Sequence, residues 1–519
     1  MQIIIPMSGI GKRFIDAGYN DPKPLIKVEG RPIIHHIIDL FPEEKKFYFI
    51  CNDLHLERTA MREVILDKVP TAIISSVSVE NRKGPVDAIL QISNLISDTD
   101  ECIVSYCDYG TQWDYHAFLK EMRDLNVDGG IASYIGFHPH MLGGDNYAFM
   151  RHSNKWVTDI QEKKSFTDNK MNEYASNGTY YFKTGKSMKK YFNYLVDCKM
   201  QINGEYYVSL VYKKMIEDGL KIRIFEIKKM LQWGTPKDLE DYLVWSCFFI
   251  EKKKYPLKFR GIEPYTLLLP MAGAGSRFRL QGYNLPKPLL PVEGNTMVVQ
   301  AVKCLPPASQ SIFICLNEHL CEYPIEQTLL SNFLNTKVLE INHVTEGQAC
   351  TCEIGISQCN INSDAPLLIS ACDNGAYYNV EKFYKLIDDQ TIDVIVWSFT
   401  NNATSKLYPH MYAWLDVDIN GSIKDVSIKK PFTDRNSIHC IIGTMYFRKT
   451  SIYLEGLHDI YTTNSRTNGE FYVDNVLIPL IKKGYSVKVF EVENYLCWGT
   501  PNDYKTYLYW EEYFSQLRT

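Results

Sequence analysis

The chain has 519 residues, enough for two large domains or several small ones. Hydrophobic residues make up 45% and charged residues 23%, and the net charge of −5 gives no general pull toward nucleic acid or an anionic membrane. No apolar run approaches the ~20 residues that span a bilayer, so membrane insertion is not expected.

The N-terminal MQIIIPMSG has no basic stretch and no small-residue cleavage site, and reads as a first strand, not a signal peptide. Next come RPIIHHIIDLF with helical spacing, the apolar strand KFYFICN and the helix GPVDAILQISNLI. ECIVSYCD is then a strand that ends on an acid. Strands alternating with helices predict an open α/β sheet with a mostly parallel core. Ligands of such sheets bind beyond the carboxyl ends of the strands, where the glycines after the first strand and Asp108 both fall. The 14 cysteines have no zinc-type spacing and are expected to be reduced thiols in a cytoplasmic protein. The pairs His35–His36 and His138/His140 lack suitably spaced partners for a metal.

The same order is then written again. Met7–Gly30 and Met271–Gly294 share 15 of 24 positions. SYCDYG matches SACDNG, KKSFTD matches KKPFTD, NGEYYV matches NGEFYV, and LQWGTP matches LCWGTP, always 264 to 266 residues apart. Each copy is too long for a solenoid unit and predicts a duplicated domain of about 250 residues. The charged junction EKKKYPLKFRGI suits a linker. The expected division is 1–250, a linker over 251–262, and 263–519.

After the first strand comes G-x-G-x-R-F: Gly9, Gly11, Arg13 and Phe14. Glycines let bare N–H groups approach a phosphate. A dinucleotide loop would need a third glycine where Phe14 and Phe278 stand, and a P-loop would end in Gly-Lys-Ser/Thr; neither pattern is met. What remains is an arginine, then Lys23 held between Pro22 and Pro24, whose rings stiffen the backbone. Together they make a two-pronged clamp suited to a polyphosphate, repeated as Arg277 and Lys287.

G-x-G-x-R-F, P-K-P, an aspartate after a later strand, K-K-P, N-G-E-[FY]-Y-V and W-G-T-P-x-D, in this order, resemble the sugar-phosphate nucleotidyltransferases, the nucleoside-diphosphate-sugar pyrophosphorylases. The resemblance covers nearly all of each half. It implies two tandem Rossmann-like (GT-A-like) nucleotidyltransferase domains. In that family a sugar 1-phosphate attacks the α-phosphorus of a nucleoside triphosphate and pyrophosphate leaves. The resemblance therefore implies a triphosphate and a sugar or polyol phosphate as partners, and an NDP-sugar product for surface polysaccharide.

Carried over residue by residue, it implies that Gly9, Gly11, Gly273 and Gly275 cradle the nucleotide, with Gly84 and Gly347 in the base-binding turn. Arg13 and Arg277 would hold the leaving pyrophosphate, and Lys23 and Lys287 the α-phosphate region. Asp108 and Asp373 resemble the Mg²⁺-binding aspartate. Lys164 and Lys430 resemble the lysine that grips the sugar phosphate, although Lys163 and Lys429 stand beside them and the sequence does not decide which faces in. Glu205 and Glu470 resemble the acid that binds sugar hydroxyls.

There are departures. Where many relatives carry a second metal aspartate, this chain has Gln232 and Cys497. Around the base-binding turn Arg82 and Lys83 face Thr345 and Glu346, Asp87 matches Cys350, and deeper in Ser209 faces Asp474. Two substrates, or one working and one relaxed site, would both explain such differences. Two other readings stand beside the transferase: a glycosyltransferase of related fold, which would want a D-x-D that CDYG and CDNG lack, and a non-catalytic nucleotide-sugar sensor. A covalent pseudo-dimer or a homo-oligomer is a further expectation.

Overall fold

A computed structural model of the chain describes residues 1–78, 83–251, 253, 256–400, 405, 409–432 and 438–517. Among the sequence-stretch comparisons above, Arg82, part of the junction (Lys252, Lys254, Tyr255) and Thr433–Asp434 of the second KKPFTD lie outside these residues. The chain divides into two compact units, Met1–Ser246 and Cys247–Thr519. The described part of the stretch expected as a linker packs onto the second unit. Leu257 and Phe259 lie against that unit's core, and Arg260 pairs with Glu263 and Asp388.

The first unit is built on nine strands: β1 (Gln2–Met7), β2 (Phe47–Asn52), β3 (Ile73–Val77), β4 (Cys102–Ser105), β5 (Gly129–Tyr134), β6 (Ala148–Ser153), β7 (Trp156–Glu162), β8 (Tyr174–Phe182) and β9 (Ile222–Glu226). Their order across the sheet is β3-β2-β1-β4-β8-β5-β9-β7-β6. β1 sits centrally, and Ile3, Ile4 and Ile5 are fully buried on both its faces, which explains its continuous apolar run. Strands β3, β2, β1 and β4 are parallel, as the alternating pattern predicts. β8 then runs against β4 and β5, and β7 runs against β9 and β6. The sheet is therefore mixed beyond its parallel core. The register of β8 shifts between Ser176 and Thr179, where Gly178 takes φ +99°.

The second unit repeats this order. Its strands are β10 (Glu263–Pro270), β11 (Ala308–Leu316), β12 (Thr336–Ile341), β13 (Leu367–Ile369), β14 (Val394–Phe399), β15 (Ala413–Val417), β16 (Ile423–Ile428), β17 (Ile438–Phe447) and β18 (Val487–Glu491). They follow one another as β12-β11-β10-β13-β17-β14-β18, with β15 joining β17 to β16. Its apolar core lies on both faces of this sheet, one side centred on Trp397 and Phe383, the other on Tyr453 and Leu477. Among the described residues no helix is long and apolar enough to cross a membrane, and the 14 cysteines are free.

Candidate active site

Each unit presents a cleft at the carboxyl ends of its parallel strands. After β1 the chain turns at Gly11, which caps the short helix α1 (Lys12–Asp16) with φ +71°; after β10, Gly275 does the same at φ +60° for α2 (Ser276–Leu280). Only a residue tolerant of the left-handed region closes this turn cheaply. Each P-K-P forms one turn of 3₁₀ helix, Lys23–Leu25 and Lys287–Leu289. This aims the lysine at the aspartate after the fourth strand.

The two meet in both units. Lys23 Nζ lies 2.7 Å from Asp108 Oδ2, and Lys287 Nζ lies 2.6 Å from Asp373 Oδ2. Burial alone would lower the pKa of each lysine, but the facing carboxylate outweighs it, and both ammonium groups are held above their usual range. A fixed cation beside a carboxylate at a strand end can meet phosphate oxygens without rearranging.

The Trp-Gly-Thr-Pro segments lock this pair in place. Trp233 N–H donates to the Asp108 carbonyl at 3.2 Å and Trp498 N–H to that of Asp373 at 2.9 Å. A methyl group at Gly234 would stand 2.9 Å from Asp108 Oδ2, and one at Gly499 would stand 3.2 Å from Asp373 Oδ2. Thr235 and Thr500 each accept from the backbone N–H of the aspartate three residues later and donate to its carboxylate, so Asp238 and Asp503 are tied into the caps of their helices. Gln232, at the position expected for a second acid, donates to the Tyr147 hydroxyl and accepts from Gly234 N–H.

Gly84 and Gly347, expected in a base-binding turn, also do something the sequence did not announce. They let the N-G-E segment press against the turn. A methyl group at Gly84 would lie 2.7 Å from Tyr206 N, and one at Gly347 would lie 2.6 Å from Phe471 N. Tyr206 N–H donates to the Lys83 carbonyl at 2.8 Å, and Phe471 N–H to that of Glu346 at 2.8 Å. This approach brings Glu205 and Glu470 to the cleft wall.

In the second unit the cleft has two chambers that meet at Ala371 and Asp373. One, of about 690 Å³, is floored by Gly273 and Gly275 and bounded by Thr345, Gly347 and Gln348. The other, of about 430 Å³, is lined by Arg277, Lys429, Tyr472 and Asp474. Lys287 and Glu470 line both. In the first unit a chamber of about 470 Å³ is lined by Gly9, Gly11, Arg13, Lys23, Asp108 and Glu205. Gly84 borders an adjoining chamber, which also touches Lys23 and Asp108. Tyr106 stands where the second unit has Ala371.

The twin lysines, left open by the sequence, take different faces. Lys164 and Lys430 are exposed and line neither cleft; Lys163 and Lys429 face in. The reason is local. Lys163 and Lys429 take φ +56° and +64°, so strand alternation breaks at them and cannot be extrapolated. Lys163 donates to the Tyr207 hydroxyl and lies 4.2 Å from that ring's centre; Lys429 donates to the Met411 carbonyl at 2.7 Å. Burial lowers the pKa of Lys429, against the opposing pull of Asp474. Twin basic residues after a strand, in both copies, are the signal that one of each pair faces the cleft.

Glu162 escaped sequence reasoning, and Asp474 was legible only as a difference between the halves. Glu162 ends β7 inside the first cleft and accepts from Ser209 Oγ at 2.6 Å. Asp474 stands in the second cleft, and burial pushes its carboxyl up to about 6.

For a divalent cation, each cleft offers one strand-end carboxylate beside a lysine. Among the described residues no group of three or more His, Cys, Asp or Glu could hold a metal by itself. One carboxylate fits a hard cation that takes its remaining ligands from phosphate and water.

The arrangement is that of an α/β protein with a cationic cleft at the carboxyl edge of each sheet. Residues 2–239, the greater part of the first unit, match the family model described as Nucleotidyl transferase. It is similar to the bifunctional protein GlmU of Buchnera aphidicola subsp. Schizaphis graminum, with 25% identity over 238 residues, 44% of this chain and 48% of that protein. The chain thus spans about half the length of that curated relative. Among solved structures it resembles the nucleoside-diphosphate-sugar pyrophosphorylase from Vibrio cholerae RC9 (21% identity, TM-score 0.38, 47% of this chain and 99% of that one). It also resembles a UDP-glucose pyrophosphorylase from Acinetobacter baumanii (14%, 0.38, 48% and 94%).

Proposed function

We propose that each cleft transfers a nucleotidyl group from a nucleoside triphosphate to a phosphate monoester of a sugar or polyol, releasing pyrophosphate. The observation that carries this reading is the Lys–Asp pair, at 2.7 and 2.6 Å, set beside a glycine turn and an arginine in both units. A phosphate oxygen of the acceptor attacks the α-phosphorus, and the bond from that phosphorus to the β-phosphate bridging oxygen breaks. No covalent enzyme intermediate is needed. The protein's work is alignment and charge neutralisation.

The 690 Å³ chamber of the second unit suits the nucleotide, and the chamber of Arg277 and Lys429 suits the acceptor. Lys287 lines both and therefore stands where the two phosphates must meet. Arg277 lines the acceptor-side chamber with Lys429 and not the nucleotide chamber, so it would serve the reacting phosphates from that side and not hold the leaving pyrophosphate as the resemblance implies; Arg13, Lys23 and Lys163 line the corresponding chamber of the first unit. Asp108 and Asp373 would hold Mg²⁺ together with phosphate oxygens, where it would neutralise charge on the triphosphate. The free cysteines suit a reducing compartment such as the cytoplasm, and an activated sugar is the donor that surface polysaccharide assembly consumes.

The test is pyrophosphate release by the purified chain, with Mg²⁺, over a panel of triphosphates and phosphate monoesters. Release that requires both substrates is expected. Release of nucleoside diphosphate or monophosphate from an NDP-sugar would point to a glycosyltransferase. Tight nucleotide-sugar binding with no turnover of any pair would point to a sensor.

A further inference from the structure

The two clefts differ at one paired position that carries charge. In the first unit the acceptor chamber contains Glu162, from the end of β7, and Ser209 donates to it. In the second unit Ile428 replaces Glu162 at the end of β16, and Asp474 replaces Ser209. One carboxylate is lost from a strand and another is gained on the facing turn, so each chamber keeps an acid near its inward lysine in addition to the strand-end aspartate and the N-G-E glutamate. A carboxylate needed only for packing has no reason to be restored from a different element. A carboxylate that meets a ligand does.

The inward lysines, Lys163 and Lys429, act on Glu162 and Asp474 electrostatically but from beyond ion-pair contact. Neither Glu162 nor Asp474 forms an ion pair with any described residue. The inward lysines are engaged elsewhere, Lys163 with the Tyr207 hydroxyl and Lys429 with the Met411 carbonyl. Asp474 accepts no hydrogen bond to its side chain from any described residue. Burying a charge without a partner is costly. In both units burial holds these carboxyls above the usual carboxylate range.

The surrounding wall is aromatic. Tyr106, Tyr147, Tyr180 and Tyr207 line the first chamber, and Tyr412, Tyr472 and Tyr495 the second. Tyr106 and Tyr180 pack edge to face at 5.9 Å next to Glu162. Tyrosine faces attract a cationic nitrogen, most strongly where water is excluded. A neutral polyol would be served as well by amide side chains; a half-buried acid within tyrosine rings is matched to positive charge.

We propose that each acceptor chamber takes a phosphate monoester that also carries an ammonium group, met by Glu162 in the first unit and by Asp474 in the second. This rests on the transferase reading, with the phosphate end held by the inward lysines, and narrows its substrate class. Because the acid enters from a different element in each unit, the two chambers hold the ammonium at different places.

The experiment uses the full chain and two matched pairs of acceptors: phosphocholine against its neutral carbon isostere 3,3-dimethylbutyl phosphate, and glucosamine 1-phosphate against glucose 1-phosphate. The first pair reports an amino alcohol, the second an amino sugar. Equilibrium binding and pyrophosphate release are both measured. The ammonium member of at least one pair should be favoured about tenfold or more. Asp474→Asn and Glu162→Gln together should shrink that preference to within about twofold. Ile428→Glu with Asp474→Ser, which copies the first unit's arrangement into the second, should retain a preference that Asp474→Ser alone loses in the second unit. Thermal unfolding of each variant reports folding separately. Pyrophosphate release with equal use of charged and neutral members overturns this proposal and leaves the transferase reading standing. A binding preference for ammonium without turnover of any pair supports the proposal and overturns the transferase reading. A preference that survives the double variant overturns the assignment of these two acids.

Discussion

Lys287 Nζ and Asp373 Oδ2 stand 2.6 Å apart, and 264 and 265 residues earlier Lys23 and Asp108 form the same pair at 2.7 Å. A preorganised cation at the point where two phosphates meet does most of its work in the transition state. Lys287→Ala should therefore lower turnover by the second unit roughly 100- to 1,000-fold while leaving its unfolding transition in place. Pyrophosphate release assayed beside Lys23→Ala checks this. Unequal losses would identify one dominant unit, and undiminished release in both variants would remove the pair from the chemistry.

The inward lysines separate cleanly from their neighbours. Lys429→Ala should raise the acceptor KM about 10-fold or more, because it removes a cation from the acceptor chamber. Lys430→Ala, at an exposed side chain, should stay within about twofold of the parent. The same contrast is expected of Lys163→Ala and Lys164→Ala. Steady-state kinetics in the acceptor concentration decides it, and larger losses at Lys430 and Lys164 would restore the residues that the sequence pattern favours.

Gly347 has φ +140° and no room for a methyl group against the Phe471 backbone. Gly347→Ala should destabilise the second unit by about 2–4 kcal/mol, through strain at this φ and displacement of the N-G-E segment. For a unit of this size that is a fall of roughly 4–15 °C in Tm. Calorimetry measures it directly. A Tm within a degree of the parent would mean that the close approach of Phe471 is not maintained in solution.

Asp474 gives a pH signature. Burial raises its carboxyl from 3.8 to about 6, with Lys429 opposing, while Glu470, Tyr472 and Arg277 complete the charged surroundings. A raised folded value means the folded protein binds the proton more tightly than the unfolded chain. The stabilising contribution is then full below about pH 4 and is lost as pH rises through about 6. At pH 7.5 Asp474→Asn should therefore be the more stable protein, by on the order of 1–3 kcal/mol, and the difference should vanish near pH 4. Unfolding temperatures at the two pH values test this. Equal values at pH 7.5 would show that the carboxylate is already well solvated or paired.

Much of the architecture is legible in the primary structure because its signals are local. Continuous isoleucines in Gln2–Met7 require a strand buried on both faces, and G-x-G at a strand end requires a left-handed turn. The duplicated Arg, Pro-Lys-Pro and strand-end Asp name their own partnership, since prolines hold Lys23 and Lys287 in one orientation whatever lies around them. Contacts between distant segments were settled only in three dimensions. The reversed strand β8 depends on which neighbour completes the sheet, not on its own composition. Which of Lys163 and Lys164 turns inward follows from one left-handed backbone angle set by the strand pairing before it. Gly84 needs to be a glycine because Tyr206, 122 positions away, passes against it. The exchange of Glu162 and Ser209 for Ile428 and Asp474 looks like unrelated drift along the chain, and becomes one relationship only where both positions face the same chamber.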